Sequence, residues 1–512
     1  MSPIDIAVLA AWIVGACVLS RPRRPGPSSA LVEVMLALTC GVGFALLSDG
    51  WLWQWHTEMG PWLVTDLNEY CPTVDQLFTG TGISHQRSRV SGLVAGLLRD
   101  RLGVLEAMHQ AGVVHAGVVG VALYTWGRVL SGRMGGLAAV VAGLAMSSLV
   151  VMSHDLRFYP AMSAAFALGA AGTTLALRYS RWWALLAAGV GTALTLLADL
   201  RGLTFALPFL GLSLVAALAC PWRRWIPNLL AWGLPLEASW WIGRWAYEYT
   251  TSPLEGQVNV VRRLQDAGIR THLHRSHFID SSYIYSYSEV FDIPYTLLNL
   301  SQQARALPAN FVGVARRPMA WAYHVEPWVP LVGIGFLFLV LAGLRGGGWS
   351  RWRRLACLAV FVPFAASLRG TVMLGSVNQH YLGLVAPAAA VLVAAAVSGL
   401  GGWIPSVGRG PRGTRPFVVA GVLGLLVLGV APSALAPDAD WRHPWSGQAE
   451  KLGVYVTDAA TRSTRIPGAH ACVNALFTDL KAGVDLSAFE WDPPARKPGP
   501  GDNGGGPEER AR

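Results

Sequence analysis

Apolar runs of roughly the twenty residues that a bilayer requires recur along almost the whole chain, separated by polar connections. They fall near 4–20, 30–48, 112–128, 135–153, 160–177, 182–198, 203–220, 226–243, 327–344, 355–373, 381–400 and 417–436. The pattern predicts twelve spans, with 355–373 the weakest because Arg369 sits near its end. Three longer polar pieces interrupt it: loops near 49–111 and 244–326, and a tail from 437.

The short connections set the orientation. Arg21, Arg23 and Arg24 follow the first span, and Arg128 and Arg133 the third. Arg178 and Arg181 follow the fifth, and Arg223 and Arg224 the seventh. Arg345, Arg351, Arg353 and Arg354 follow the ninth, and Arg409, Arg412 and Arg415 the eleventh. None of these connections holds Asp or Glu. All fall on one side of a twelve-span chain, which is therefore expected to be cytoplasmic. Both termini and nearly every carboxylate fall on the other side. A first span acting as a signal anchor would leave the other eleven unchanged. Met1–Ser20 lacks the basic start of a cleavable signal.

Composition agrees. Of 512 residues, 53% are hydrophobic and 14% charged, with a mean hydropathy of +0.40, against roughly 25% charged in soluble proteins. This excludes a soluble enzyme, a disordered chain, a coiled coil and a disulfide-framework mini-protein. The expected fold class is an all-α polytopic membrane protein: about 11–13 transmembrane helices, interfacial helices in the outer loops and a small extracytoplasmic C-terminal segment. Residues 1–436 form the transmembrane domain, 437–492 the extracytoplasmic tail, and 493–512, rich in Pro, Gly and charge, a disordered end. The net charge of +10 does not call for nucleic acid. Arginine far exceeds lysine, and Ala and Gly are abundant, which suits a GC-rich bacterial genome and an inner-membrane location.

Six cysteines are present. Cys17, Cys40, Cys220 and Cys357 fall in or at the ends of spans, as small hydrophobes. Cys71 and Cys472 both fall outside, where they either pair or remain thiols. His272, His274 and His277 match no strong zinc pattern, and no other spacing indicates a divalent metal or a cofactor. Tyr283, Tyr285 and Tyr287 alternate as in a short strand, to pack in their own loop or to stack on a sugar. Segment 294–325 reads as an interfacial amphipathic stretch.

Ionisable groups near a membrane are costly and tend to be functional. They gather at four places on the outer side: Trp62–Tyr70 with Asp66 and Glu69, followed by Asp75; the turn Ser153–Tyr159 with Asp155 and Arg157; the turn Ala198–Gly202 with Asp199 and Arg201; and Asn378–Tyr381 with His380. Arginines hold phosphate through forked hydrogen bonds, and a carboxylate can take a proton from a hydroxyl. The set suits chemistry on a lipid-borne anion. Each group also has a plainer reading, as solvated loop acids, helix-end ion pairs or an interfacial histidine.

Several stretches resemble the membrane core of the C-type glycosyltransferases, the superfamily of protein O-mannosyltransferases and lipid A aminoarabinose transferases. Leu123–Leu137 is similar to the small inner loop between helices. Ser153-His-Asp-Leu-Arg-Phe-Tyr159 resembles an outer turn with Asp155 in place of Glu. His380-Tyr381-Leu-Gly-Leu-Val-Ala-Pro387 resembles a late signature with His380 in place of Arg. The Asp-Glu pair of the first outer loop is represented by Asp66 and Glu69, and a further family Arg by His109.

The resemblance implies an integral membrane glycosyltransferase. It would move a hexosyl or pentosyl group, with inversion, from a polyprenyl-phosphate donor to a lipid, polysaccharide or protein acceptor on the extracytoplasmic face. Asp66 would be the general base, with Glu69 the second candidate. Arg157, Arg201 and His380 would hold the donor phosphate, supported by Asp155, Tyr159, Tyr381 and His109. Two other readings remain: a transporter or lipid flippase with a midplane site near Glu237, and a non-catalytic envelope-assembly protein.

Overall fold

The computed structural model describes residues 28–59, 74, 88–146, 149–150, 158–199, 202–247, 329–345, 348–365 and 379–403. The described elements are helical. They are α1 (Ser28–Met59), α2 (Leu93–Leu102), α3 (Val104–Ala145), α4 (Tyr159–Tyr179), α5 (Trp182–Ala198), α6 (Leu203–Leu218), α7 (Trp225–Tyr247), α8 (Val329–Leu344), α9 (Gly348–Ala359) and α10 (Gln379–Trp403), with a 3-10 turn at Trp222–Arg224. Four helical segments are long and apolar enough to cross a membrane: Leu31–Asp49, Glu106–Ala145, Tyr159–Tyr179 and Gly383–Leu400. Shorter apolar helices lie at Trp182–Ala198, Leu203–Leu218 and Leu331–Leu344. The chain is an all-α polytopic membrane protein. The candidate spans 4–20 and 417–436, the loop 248–328 with its histidines and tyrosines, Cys17, Cys71, Cys472 and the tail lie outside the described residues.

Helix α3 is two helices in one. Gly132 has φ +81°, a left-handed value favouring glycine, and breaks the helical geometry. The 104–131 and 133–145 halves fold back on each other through a one-residue joint. They correspond to the two spans expected at 112–128 and 135–153. Close approach explains the glycines flanking the joint: a Cβ on Gly136 would lie 2.7 Å from the Tyr124 carbonyl oxygen. Antiparallel packing of α1 on the first half is equally tight. A Cβ on Gly41 would meet Val121 Cγ2 at 2.6 Å and the Gly117 oxygen at 2.7 Å.

Side-chain contacts fix the up-and-down order. Ser163 Oγ, in the first turns of α4, donates to the Gly383 oxygen near the start of α10 at 3.0 Å. A Cβ on Gly399 would meet the Phe338 ring at 2.7 Å, which sets α8 and α10 side by side at their ends. Asn228 Nδ2, near the start of α7, donates to the Ser180 oxygen after α4 at 3.4 Å. Arg353 Nη2 donates to the Ala219 oxygen after α6 at 2.8 Å. One end of the bundle therefore carries Arg128, Arg133, Arg178, Arg181, Arg223, Arg224, Arg345 and Arg353. The other carries Asp49, Glu106, Tyr159 and Asp199. This division matches the expected sidedness.

The middle is filled by rings. Phe361 stacks on Trp126 with centroids 4.9 Å apart, Phe364 meets Phe205 edge-on at 5.0 Å, and Phe205 stacks on Phe166 at 4.1 Å. Of the span expected at 355–373, residues 355–365 are described. Helix α9 begins earlier, at Gly348, and carries Arg351, Arg353 and Arg354 with Trp349 and Trp352. After a turn at 360–361 the chain is helical again over 362–365, and 366–373 lie outside the described residues. Two of its arginines bond helix-end carbonyls: Arg353 that of Ala219, and Arg354 Nη1 that of Ala342, at 3.1 Å. The arginine-bearing first turns of α9 suit the membrane interface, while Cys357, Val360, Phe361 and Phe364 further along are buried.

Candidate functional site

The acid-bearing end is built from helix termini. Helix α1 has 32 residues, about 48 Å at 1.5 Å per residue, so it overreaches the ~30 Å hydrocarbon core. Its far part carries Asp49, and beyond Met59 the chain leads towards Asp66. Against it stands the start of α3. His109 is 8% exposed, and its Nε2 lies 2.9 Å from Asp49 Oδ1. On its other side Nδ1 is 3.7 Å from Glu106 Oε2, one turn back on the same face. Gln110 Nε2 donates to Glu106 Oε1 at 2.7 Å. A buried imidazole between two carboxylates is well placed to carry a proton.

Helices α4 and α10 add to this end. Pro160 stands in the first turn of α4, where its missing N–H is no loss. Tyr159 is buried, with its ring 4.3 Å from that of Phe158. The Ser163–Gly383 hydrogen bond lies one turn inside Tyr159 on α4 and one turn inside His380 on α10. These two expected site positions therefore stand on adjoining helix starts.

A second polar group lies where α5 and α7 end and α6 begins. Asp199 is 1% exposed and in extended conformation, φ −164° and ψ 153°. Its carbonyl accepts from Gly202 N–H at 2.8 Å, closing the turn. Gly202 is required there, because a Cβ would collide with the Thr195 carbonyl. Arg89 is 2% exposed. Its backbone N–H donates to the Ala246 oxygen at 3.3 Å, and its guanidinium lies 5.5 Å from the Trp245 ring centroid. The apolar residues gathered there are Leu196, Leu197, Leu203 and Ala246, with Val90 packed against them.

Of the expected site residues, the structure describes the side chains of His109 and Tyr159, and the helical positions of His380 and Tyr381. Asp66, Glu69, Asp155, Arg157 and Arg201 lie outside the described residues. Sequence reading passed over three buried or partly buried groups: Asp49, Arg89 and Glu33. Asp49 had a legible signal, as the first acid after an apolar run. Glu33 had one too, as an acid inside such a run. Arg89 had none, because its burial depends on α5, α6 and α7, more than a hundred residues away.

Glu237, the midplane acid a transporter would use, is exposed on the bundle surface. There it accepts a hydrogen bond from Trp241 Nε1 at 3.0 Å.

No protein-family model matches the chain, and no curated protein does so in sequence. Some solved structures are similar. ArnT from Cupriavidus metallidurans bound to undecaprenyl phosphate is 13% identical over 91% of this chain and 80% of that one, with a TM-score of 0.42. The archaeal oligosaccharyltransferase AglB from Archaeoglobus fulgidus, in complex with an inhibitory peptide and a dolichol-phosphate, is 11% identical over 84% of this chain and 60% of that one, with a TM-score of 0.44. ArnT in the apo state gives 13%, 90%, 80% and 0.39. Likeness this loose carries no residue's role from one chain to another.

Proposed function

We propose that the chain is an integral membrane glycosyltransferase that moves a sugar from a polyprenyl-phosphate donor to an acceptor at the acid-bearing, extracytoplasmic face. The supporting observation is the gathering of Asp49, His109, Tyr159, Arg89, Asp199 and the start of α10 at one end of the bundle, opposite the arginine-rich end. The described helix ends that flank the sequence motifs around Asp66 and Arg157, and the start of α10 that carries His380, lie at the same end.

In the proposed reaction the acceptor hydroxyl attacks the anomeric carbon from the side opposite the phosphate. A new C–O bond forms as the bond to phosphate oxygen breaks, and the configuration inverts. The acceptor proton passes to the Asp66 carboxylate, with Glu69 the second candidate base. The electron pair of the broken bond leaves on polyprenyl phosphate, whose negative charge Arg157, Arg201 and His380 steady. Preorganised cations act strongly in a site shielded from water. Phosphate is already a good leaving group, so no covalent enzyme intermediate is required. Asp155, Tyr159, Tyr381 and His109 support these groups.

The test is transfer from polyprenyl-phosphate-linked sugars in a lipid extract. Asp66→Asn is expected to lower turnover at least about a hundredfold, the usual contribution of a positioned base, while the protein still elutes as a folded species. Undiminished transfer by Asp66→Asn would reject Asp66, and undiminished transfer by both Asp66→Asn and Glu69→Gln would reject the mechanism.

A further inference from the structure

At the arginine-rich end, two short turns lie side by side. One links α4 to α5 and the other links α6 to α7. Asn228 joins them: it is 2% exposed, and its Nδ2 donates to the Ser180 oxygen at 3.4 Å and lies 3.2 Å from Cys220 Sγ. Trp225 Nε1 donates to the Leu218 and Cys220 oxygens at 3.1 and 3.0 Å, which fixes the second turn on itself. The joined turns are a rigid platform.

Their surface is composed of two residue types. Arg178, Arg181, Arg223 and Arg224 are all exposed. Trp182, Trp183, Trp222 and Trp225 are 58%, 40%, 72% and 41% exposed, and Arg223 lies 5.8 Å from the Trp222 ring centroid. Exposed tryptophan is characteristic of the membrane–water interface, so the platform sits at headgroup depth. Among the described residues none of these four arginines pairs with a carboxylate. Glu33, the described acid at this end, is already bonded to Arg128, Arg133 and Tyr124. Helix α5 also begins here without a side-chain cap on its first amides, and such amides favour an anion.

We propose that these joined turns form a binding site for the headgroup phosphate of an anionic phospholipid in the leaflet on the arginine-rich side. Guanidinium forks match phosphate oxygens in pairs. The tryptophan rings beside them provide an apolar flank for the glycerol and upper acyl chain. A zwitterionic lipid offers the same phosphate together with a cation that the four arginines repel. The site is independent of the sugar-transfer reading, because it lies at the opposite end of the bundle.

The test is native mass spectrometry of the full-length protein released from micelles containing phosphatidylglycerol, phosphatidylcholine or neither. The wild type is expected to retain phosphatidylglycerol in preference to phosphatidylcholine. The R178Q/R181Q/R223Q/R224Q variant is expected to lose that retention about tenfold or more, given a few-fold per basic residue near a charged surface. The corresponding four-lysine variant keeps the charge and loses the forked hydrogen bonds, so it is expected to retain less than the wild type and more than the glutamine variant. For the wild type alone, rising salt should release phosphatidylglycerol and leave phosphatidylcholine unaffected, a readout that survives if the glutamine variant misfolds. Equal retention of the two lipids, unchanged retention by the glutamine variant, or salt-insensitive binding would each overturn the site.

Discussion

Glu33 accepts hydrogen bonds from Tyr124 Oη at 2.9 Å, from Arg128 Nε and Nη2 at 3.2 Å each, and from Arg133 Nε at 2.6 Å. One carboxylate thus clamps α1 to both sides of the joint in α3. Replacing it with Gln leaves two neighbouring arginines without a counter-charge. Glu33→Gln is expected to destabilise the protein by about 2–3 kcal/mol, and Tyr124→Phe by about 1 kcal/mol. Thermal unfolding of the purified protein measures both, and an unchanged midpoint for Glu33→Gln would remove the clamp from the account. At the other end of α1, Asp49 and His109 should behave as a coupled pair. A double-mutant cycle with Asp49→Ala and His109→Phe is expected to give a coupling of about 1 kcal/mol or more. Additive effects would show that the 2.9 Å contact contributes nothing net. Little of this was legible in the sequence. Glu33 and Asp49 are 16 residues apart on one helix, and each acquires meaning only when the first half of α3 packs antiparallel on α1 and presents Arg128 and His109 at matching heights.

At the scale of elements the sequence was far more informative. The runs at 160–177, 182–198, 203–220, 226–243, 327–344 and 381–400 correspond to α4, α5, α6, α7, α8 and α10 within a few residues, because continuous apolar length is a local property. In the run at 355–373 the described helix begins earlier, at Gly348, and a hydropathy window does not register that Arg353 and Arg354 there bond helix-end carbonyls. Glycine positions carry the tightest element contacts. Gly172 faces the Ala187 carbonyl oxygen, with 2.5 Å available for a Cβ. Gly172→Val and Gly41→Leu are each expected to prevent recovery of monodisperse protein on size exclusion. Gly132→Ala meets open space and only an unfavourable backbone conformation, so it should cost about 1–3 kcal/mol and leave the fold intact. A normal elution profile for Gly41→Leu would contradict the close packing of α1 on α3.

For the molecule as a whole, the prominent property is its polarity. Most described arginines collect at one end, with Glu33 among them, while Asp49, Glu106 and Asp199 stand at the other together with Arg89, Arg99 and Arg101. Single cysteines introduced on a background lacking the native ones test the orientation directly. Asp100→Cys, exposed on α2, should react with a membrane-impermeant maleimide on intact cells. Arg181→Cys, exposed at the opposite end, should react only after lysis. Labelling of both on intact cells would contradict the arrangement. Alternating arginine-rich connections made the division of charge between the two ends readable from the chain. Which outer groups meet was not readable, since it depends on how helix ends from four distant segments converge. The hairpin in α3 also bears on how the protein is made. With one residue joining its halves, the two halves are expected to enter the bilayer as a pair. The arginines flanking its tip are met by an acid on a helix synthesised earlier, and the order of translation thus places the receptor before the charges it must receive.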